Sequence, residues 1–113
     1  MNLVDRTRDF ALRVIRLCSA LPSNRTADVI ARQLLRSGTS PGAHFREALR
    51  ARSKSEHVAK LNGGLMELEE TLYWLEIVEG ANLMTSKKLE PLKAETMELI
   101  AIYVSLIKKW KGK

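Results

Sequence analysis

A chain of 113 residues with a formal net charge of +6 holds enough apolar material for one core and too little for two independent ones, so a single domain over residues 1–113 is expected. Apolar residues make up 45% of the chain, and only six Gly and three Pro occur, which excludes a disordered or collagen-like chain; the single Cys18 excludes an intrachain disulfide framework. No apolar run approaches the roughly 20 residues that span a bilayer, and the first residues, MNLVDRTRDF, carry charges where a secretory signal needs an apolar stretch, so a soluble cytoplasmic protein is expected.

Taken in order, the chain predicts four amphipathic helices. Leu3, Thr7, Phe10, Val14, Leu17 and Leu21 recur at alternating spacings of four and three, the seam of a bundle helix over about residues 3–20, widened by Ala11, Ile15 and Cys18. Pro22 pushes Leu21 out of the helical region and ends it, and Ser23 or Asn24 then caps the second helix. That helix is expected from about residue 24 to 51, although Ser37-Gly38-Thr39-Ser40-Pro41-Gly42 lies inside it. Ala27, Ile30, Leu34, Gly38, Pro41, Phe45 and Ala48 keep one phase across the interruption, which favours a single helix of roughly 40 Å, kinked near Gly38-Pro41, over two short ones.

Ser53-Lys54-Ser55-Glu56 reads as a capping box opening the third helix. Its main seam is expected to be Leu61, Leu65, Leu68, Leu72 and Leu75, while Met66, Tyr73 and Ile77, with Trp74 beside them, point to a second side. A helix apolar on two sides is buried on two sides, so this second face is read as an oligomer interface rather than a ligand box, with Glu67 and Glu70 among its flanking acids. Gly80 and Asn82 end the helix. The fourth starts near Ser86, where Pro91 is tolerable only close to the first turn, and runs on the seam Leu89, Leu92, Thr96, Leu99, Tyr103, Leu106 and Trp110, widened by Ile100 and Ile107. Four such helices with short connections predict an all-α, antiparallel up-down-up-down four-helix bundle.

Charge is segregated. Residues 25–60 hold eight Lys and Arg against three acids, whereas residues 61–83 hold five Glu and no base. On the second helix Arg25, Arg32, Arg36, Arg46 and Arg50 fall within roughly 80° of one another, opposite the apolar face, with Asp28 and Thr39 among them. Such a stripe suits phosphate, which the guanidinium fork binds bidentately. It suits equally the glutamates Glu67, Glu69, Glu70, Glu76 and Glu79 of a neighbouring copy, and both readings stand at this point. No aromatic residue interleaves the arginines, so a single-strand stacking platform is not indicated.

Enzymatic chemistry finds no pattern here: there is no phosphate-cradling glycine loop, nucleophile motif or HExxH. His44 and His57 stand on different helices with no ligand-type partner four residues on; Glu47 is three residues from His44, but a di-iron pattern needs paired acids on facing helices, and Cys18 lies on an apolar stripe, so no metal or cofactor is expected. Gly63-Gly64, inside the third helix, is read as a place where another helix approaches closely.

The Leu21-Pro22 joint, Gln33-Leu34-Leu35-Arg36-Ser37-Gly38-Thr39-Ser40, Ala43-His44-Phe45-Arg46-Glu47-Ala48, Ala51-Arg52-Ser53-Lys54-Ser55-Glu56, Lys60-Leu61, Glu67-Leu68-Glu69-Glu70-Thr71, Tyr73-Trp74-Leu75 and the late Glu95/Glu98/Leu99 pattern together resemble the 23S ribosomal RNA intervening-sequence protein family over essentially the whole chain. His44 departs from the asparagine of that pattern and His57 from an aromatic residue. The resemblance implies a homopentameric four-helix bundle without an established activity. A relative of similar fold, the accessory protein of diversity-generating retroelements, forms a basic barrel that associates with nucleic acid and a reverse transcriptase. By that analogy the expected partners are further copies of the chain, RNA or DNA, and a nucleic-acid-processing protein such as a reverse transcriptase.

Overall fold

The computed structural model describes residues 1–112 and contains four helices: α1 (Leu3–Ser19), α2 (Arg25–Leu49), α3 (Lys54–Gly80) and α4 (Ser86–Lys111). Each start is capped by a side-chain oxygen accepting the backbone N–H three residues on: Asn2 from Asp5 and Asn24 from Ala27 (both 2.9 Å), Ser53 from Glu56 (3.1 Å) and Thr85 from Lys88 (3.4 Å). Of the two residues expected to cap α2, Asn24 holds the cap. The capping box at α3 forms only on one side, because the Glu56 carboxylate accepts the N–H of Arg52 rather than that of Ser53.

The end of α3 shows why Asn82 follows Gly80. Asn82 takes the left-handed conformation at φ 58°, its N–H donates to Glu79 O, and the N–H of Leu83 donates to Val78 O, each at 3.0 Å. This is the double bond of a Schellman stop, and it satisfies carbonyls that would otherwise be orphaned. α2 runs unbroken through Gly38 and Pro41. Pro91 lies deeper in α4 than the first turn expected of it.

Adjacent helices pack side by side, α2 against α3 most extensively and α1 against α4 least, in a body of 47 × 22 × 21 Å. Phe10, Val14, Leu34, Leu61, Leu68, Leu75, Val78, Leu89, Leu99 and Tyr103 are fully buried at the centre. The seams of α1 and α2 lie where periodicity places them. On α3 the buried row is Leu61, Gly64, Leu68, Thr71, Leu75 and Val78, with the expected Leu65 and Leu72 half-buried at its flank. On α4, Ile107 rather than Leu106 closes the row. Small residues sit on the α3 row because neighbouring helices come close there. A Cβ on Gly64 would lie 2.7 Å from Tyr103 Cε2, and the Thr71 hydroxyl meets that of Ser37 at 2.9 Å in the α2–α3 seam. The same logic joins α1 to α2, since a Cβ on Gly38 would lie 2.7 Å from both methyls of Val14.

Tyr103 crosses the core from α4 and donates its hydroxyl to the Pro41 carbonyl at 3.2 Å, while burial pushes its phenol well above the ordinary range. Cys18 is half-buried with Sγ 3.7 Å from the Ala31 carbonyl, and burial pushes its thiol up to about 11. His57 accounts for its own position: Nδ1 lies 2.7 Å from the Ala48 carbonyl at the end of α2, and the ring lies against Trp110 of α4 at a tilt of 40°, centroids 4.0 Å apart.

The loosest pair, α1 and α4, is fastened by one ionic clamp. Arg6 donates Nε and Nη2 to the two oxygens of Glu95, each at 2.8 Å, and Nη2 also lies 2.9 Å from Glu98. The Arg6 hydrogen bond holds the Glu95 carboxyl below its usual range against partial desolvation. A carboxyl lowered by folding contributes stability above the ordinary value of 4.5 and loses it as pH falls through the folded value. Arg6→Ala is therefore expected to cost about 1–2 kcal/mol near neutrality and progressively less below pH 4.5, as read by urea melts across pH.

Candidate nucleic-acid interface

The outer face of α2 follows from its inner one. With Ile30, Leu34, Phe45 and Ala48 committed to the core, Arg25, Arg32, Arg36, Arg46 and Arg50 are left outside, and all five are exposed. Asp28 lies in the first turn, where a negative charge complements the macrodipole, and Thr39 satisfies its own hydroxyl on the Leu35 carbonyl at 2.6 Å. Asp28 leaves the face net basic but not purely so.

The five arginines do not share one fate. Arg36 leans toward α3 of its own chain, placing Nη1 3.2 Å from Glu67 Oε2 and hydrogen-bonding Glu70 through Nη2. Glu70 also accepts the Trp74 indole N–H at 3.1 Å. Partial desolvation pushes the Glu70 carboxyl up, but the hydrogen bonds from Arg36 and Trp74 outweigh it and hold the group below its usual range. Glu67 and Glu70, expected against a neighbouring copy, thus meet an arginine within the chain. Arg25, Arg32, Arg46 and Arg50 make no ion pair among the described residues.

Arg46 stands apart from Arg25, Arg32 and Arg50. It overhangs the α1–α2 groove, a cleft of about 270 Å³ walled by Arg8 and Arg46 and floored by Thr7, Ala11, Thr39, Gly42 and Ala43. Arg8 was not among the residues picked out by periodicity. Its only sequence signal is indirect: Gly38 and Gly42, a turn apart, let α1 close onto α2, and Arg8 follows the Thr7 that lies against Gly42.

The second face of α3 also divides. Met66 is 70% and Tyr73 53% exposed, whereas Trp74 and Ile77 are half-buried against the core. Tyr73 and Trp74 meet edge to face at 5.1 Å. Glu79 pairs with Lys93 of α4 at 3.1 Å, while Glu69 and Glu76 make no ion pair among the described residues. His44 lies against Gly63, with Nδ1 3.5 Å from Glu47. Among the described residues no three His, Cys, Asp or Glu side chains converge as a metal site, and no helix is long and apolar enough to cross a membrane.

The family model described as 23S rRNA-intervening sequence protein matches residues 1–105. A crystal structure from Bacteroides thetaiotaomicron VPI-5482, a protein with unknown function from the S23 ribosomal protein family, is 36% identical, superposes with a TM-score of 0.89, and is matched over 95% of this chain and 99% of its own. No curated protein matches.

Proposed function

The chain belongs to the 23S rRNA-intervening sequence protein family, and from that premise we propose that it is a non-enzymatic, basic oligomeric scaffold that binds RNA or DNA within a ribonucleoprotein. The observation that carries this reading is the outer face of α2, where Arg25, Arg32, Arg46 and Arg50 are exposed and make no ion pair among the described residues. Arg36 is neutralised within the chain by Glu67 and Glu70, whereas the uncompensated charge of the other four supports binding of an external polyanion. Arginine in this setting engages phosphate through charge and a planar fork without reading bases, so affinity falls steeply with salt and depends little on sequence. The test is retention of structured RNA and duplex DNA by the intact protein across a salt series. Binding at low salt that weakens as salt rises is expected; no binding at low salt would overturn the reading.

Self-association is part of the proposal, with a homopentamer as the assembly and a nucleic-acid-processing enzyme such as a reverse transcriptase as a further partner. The support for self-association is the exposed pair Met66 and Tyr73 on the face of α3 that also carries Glu69 and Glu76. Met66→Ser/Tyr73→Ser is expected to turn the oligomer into a monomer in light scattering while the helical circular-dichroism signal persists. A wild type that is itself monomeric would contradict it.

A further inference from the structure

Between α1 and α4, the pair that packs least, a cleft of about 500 Å³ lies beyond the Arg6 clamp. Arg13 and Arg16, one turn apart on α1, face Lys88 from the first turn of α4 across a floor that includes Leu17 and Leu92. None of the three cations makes an ion pair among the described residues. Asp9 is the one acid in the lining among the described residues; Glu95, further along α4, is held by Arg6 at 2.8 Å and also feels the charge of Arg13, without pairing with it. Lys88 also lines an adjoining recess of about 380 Å³ at the end of the bundle, where Leu83 and Met84 offer apolar surface beside Asn82 and Thr85.

The α2 face and this cleft differ in how charge is arranged. Along α2, Arg25 and Arg32, unpaired among the described residues, are seven residues apart, roughly 10 Å of helix, which spreads the charge over separate, singly charged phosphodiesters of a backbone. In the cleft three cations share one opening, which suits a single group of higher charge. Resting on the nucleic-acid reading above, we propose that the α1–α4 cleft takes a terminal phosphomonoester of a bound nucleic acid. Arg13, Arg16 and Lys88 contact the phosphate, and the recess beside Lys88 receives the nucleoside attached to it. A doubly charged end group gains more from three cations lining one cleft than an internal phosphodiester does, and the site distinguishes a phosphorylated end from a hydroxyl one.

Fold stability does not explain Lys88, because a cation in the first turn of a helix opposes the macrodipole. Lys88→Glu is therefore expected to hold or raise the melting temperature, which separates a lost site from a lost fold. The experiment compares one RNA, labelled at its 3′ end and carrying either a 5′-monophosphate or a 5′-hydroxyl, against the intact wild type, Lys88→Glu and Arg13→Ala/Arg16→Ala. The wild type is expected to prefer the phosphorylated end by about fivefold or more, and both cleft variants to lose the preference. Arg32→Glu/Arg50→Glu on α2 weakens both RNAs and keeps their ratio. Inorganic phosphate competes the preference away and leaves the remaining affinity. Equal binding of the two RNAs by the wild type, or a preference that survives in both cleft variants, overturns the site. If neither RNA binds, the α2 reading has failed, and the cleft is then judged by titrating adenosine monophosphate. Saturable binding lost in Lys88→Glu sustains the cleft, and no binding overturns it.

Discussion

One methyl group added at Gly64 is expected to destabilise the bundle by about 1–3 kcal/mol, although alanine in mid-helix normally gains about 1 kcal/mol over glycine. The sign is decided by what the methyl meets. A Cβ there would stand 2.7 Å from Tyr103 Cε2, closer than real side chains come. Tyr103 has nowhere to retreat. Its ring is fully buried and packs 6.3 Å from Phe45, and its hydroxyl is held at 3.2 Å by the Pro41 carbonyl on the far side of the core. Withdrawal would break that bond and leave a buried hydroxyl without a partner, so the strain has to be absorbed by parting α3 from α4. Gly80→Ala is the control. Nothing lies within 4 Å of a Cβ there, and the same substitution is expected to gain about 0.5–1 kcal/mol. Urea melts of the two variants should move in opposite directions, and a Gly64→Ala protein as stable as Gly80→Ala would refute the close approach.

On the functional side the largest effect is expected from Arg25→Glu/Arg32→Glu/Arg50→Glu, which should lower the affinity for duplex DNA or structured RNA by about a hundredfold or more at low salt. These side chains have no carboxylate partner within the chain among the described residues, so their reversal costs the fold little and the phosphate contact much. Arg36 is expected to behave otherwise. It is bound to Glu67 and Glu70, and Arg36→Ala should cost up to about 1 kcal/mol of stability, as for a half-exposed ion pair, while leaving the salt dependence of nucleic-acid binding unchanged. A gel-shift series with both variants reads the contrast directly. Equal losses from Arg32→Ala and Arg36→Ala would mean that the stripe acts as one unit and that the intrachain pairing does not hold in the complex.

Such contrasts mark where reading the sequence stops. Helix existence, ends, the α1 and α2 faces and the α4 face up to Tyr103 were accessible because they depend on local periodicity and capping chemistry: Asn24, Ser53 and the Gly80–Asn82 stop all stand where local rules put them. What was not accessible depends on the rotation and spacing of one helix against another. On α3 two apolar rows compete, and leucine content favours Leu65 and Leu72. The buried row instead runs through Gly64 and Thr71, because these small residues admit Tyr103 and Ser37. The same rotation aims Arg36 at Glu67 and Glu70 of its own chain. It also brings Arg8 beside Arg46, and Arg13 and Arg16 opposite Lys88, none of which shares a helix with its counterpart. Single-helix patterns carry no information about such pairings, since each needs the register between two elements.

The central claim, that the outer face of α2 contacts a phosphate backbone, is tested most directly by the salt dependence of binding to duplex DNA. Each arginine that displaces a counterion adds nearly one unit to the slope of log affinity against log salt. Arg25→Ala/Arg32→Ala/Arg50→Ala is expected to reduce the wild-type slope by nearly three units without changing helical content. An identical slope in the variant and the wild type would contradict the account.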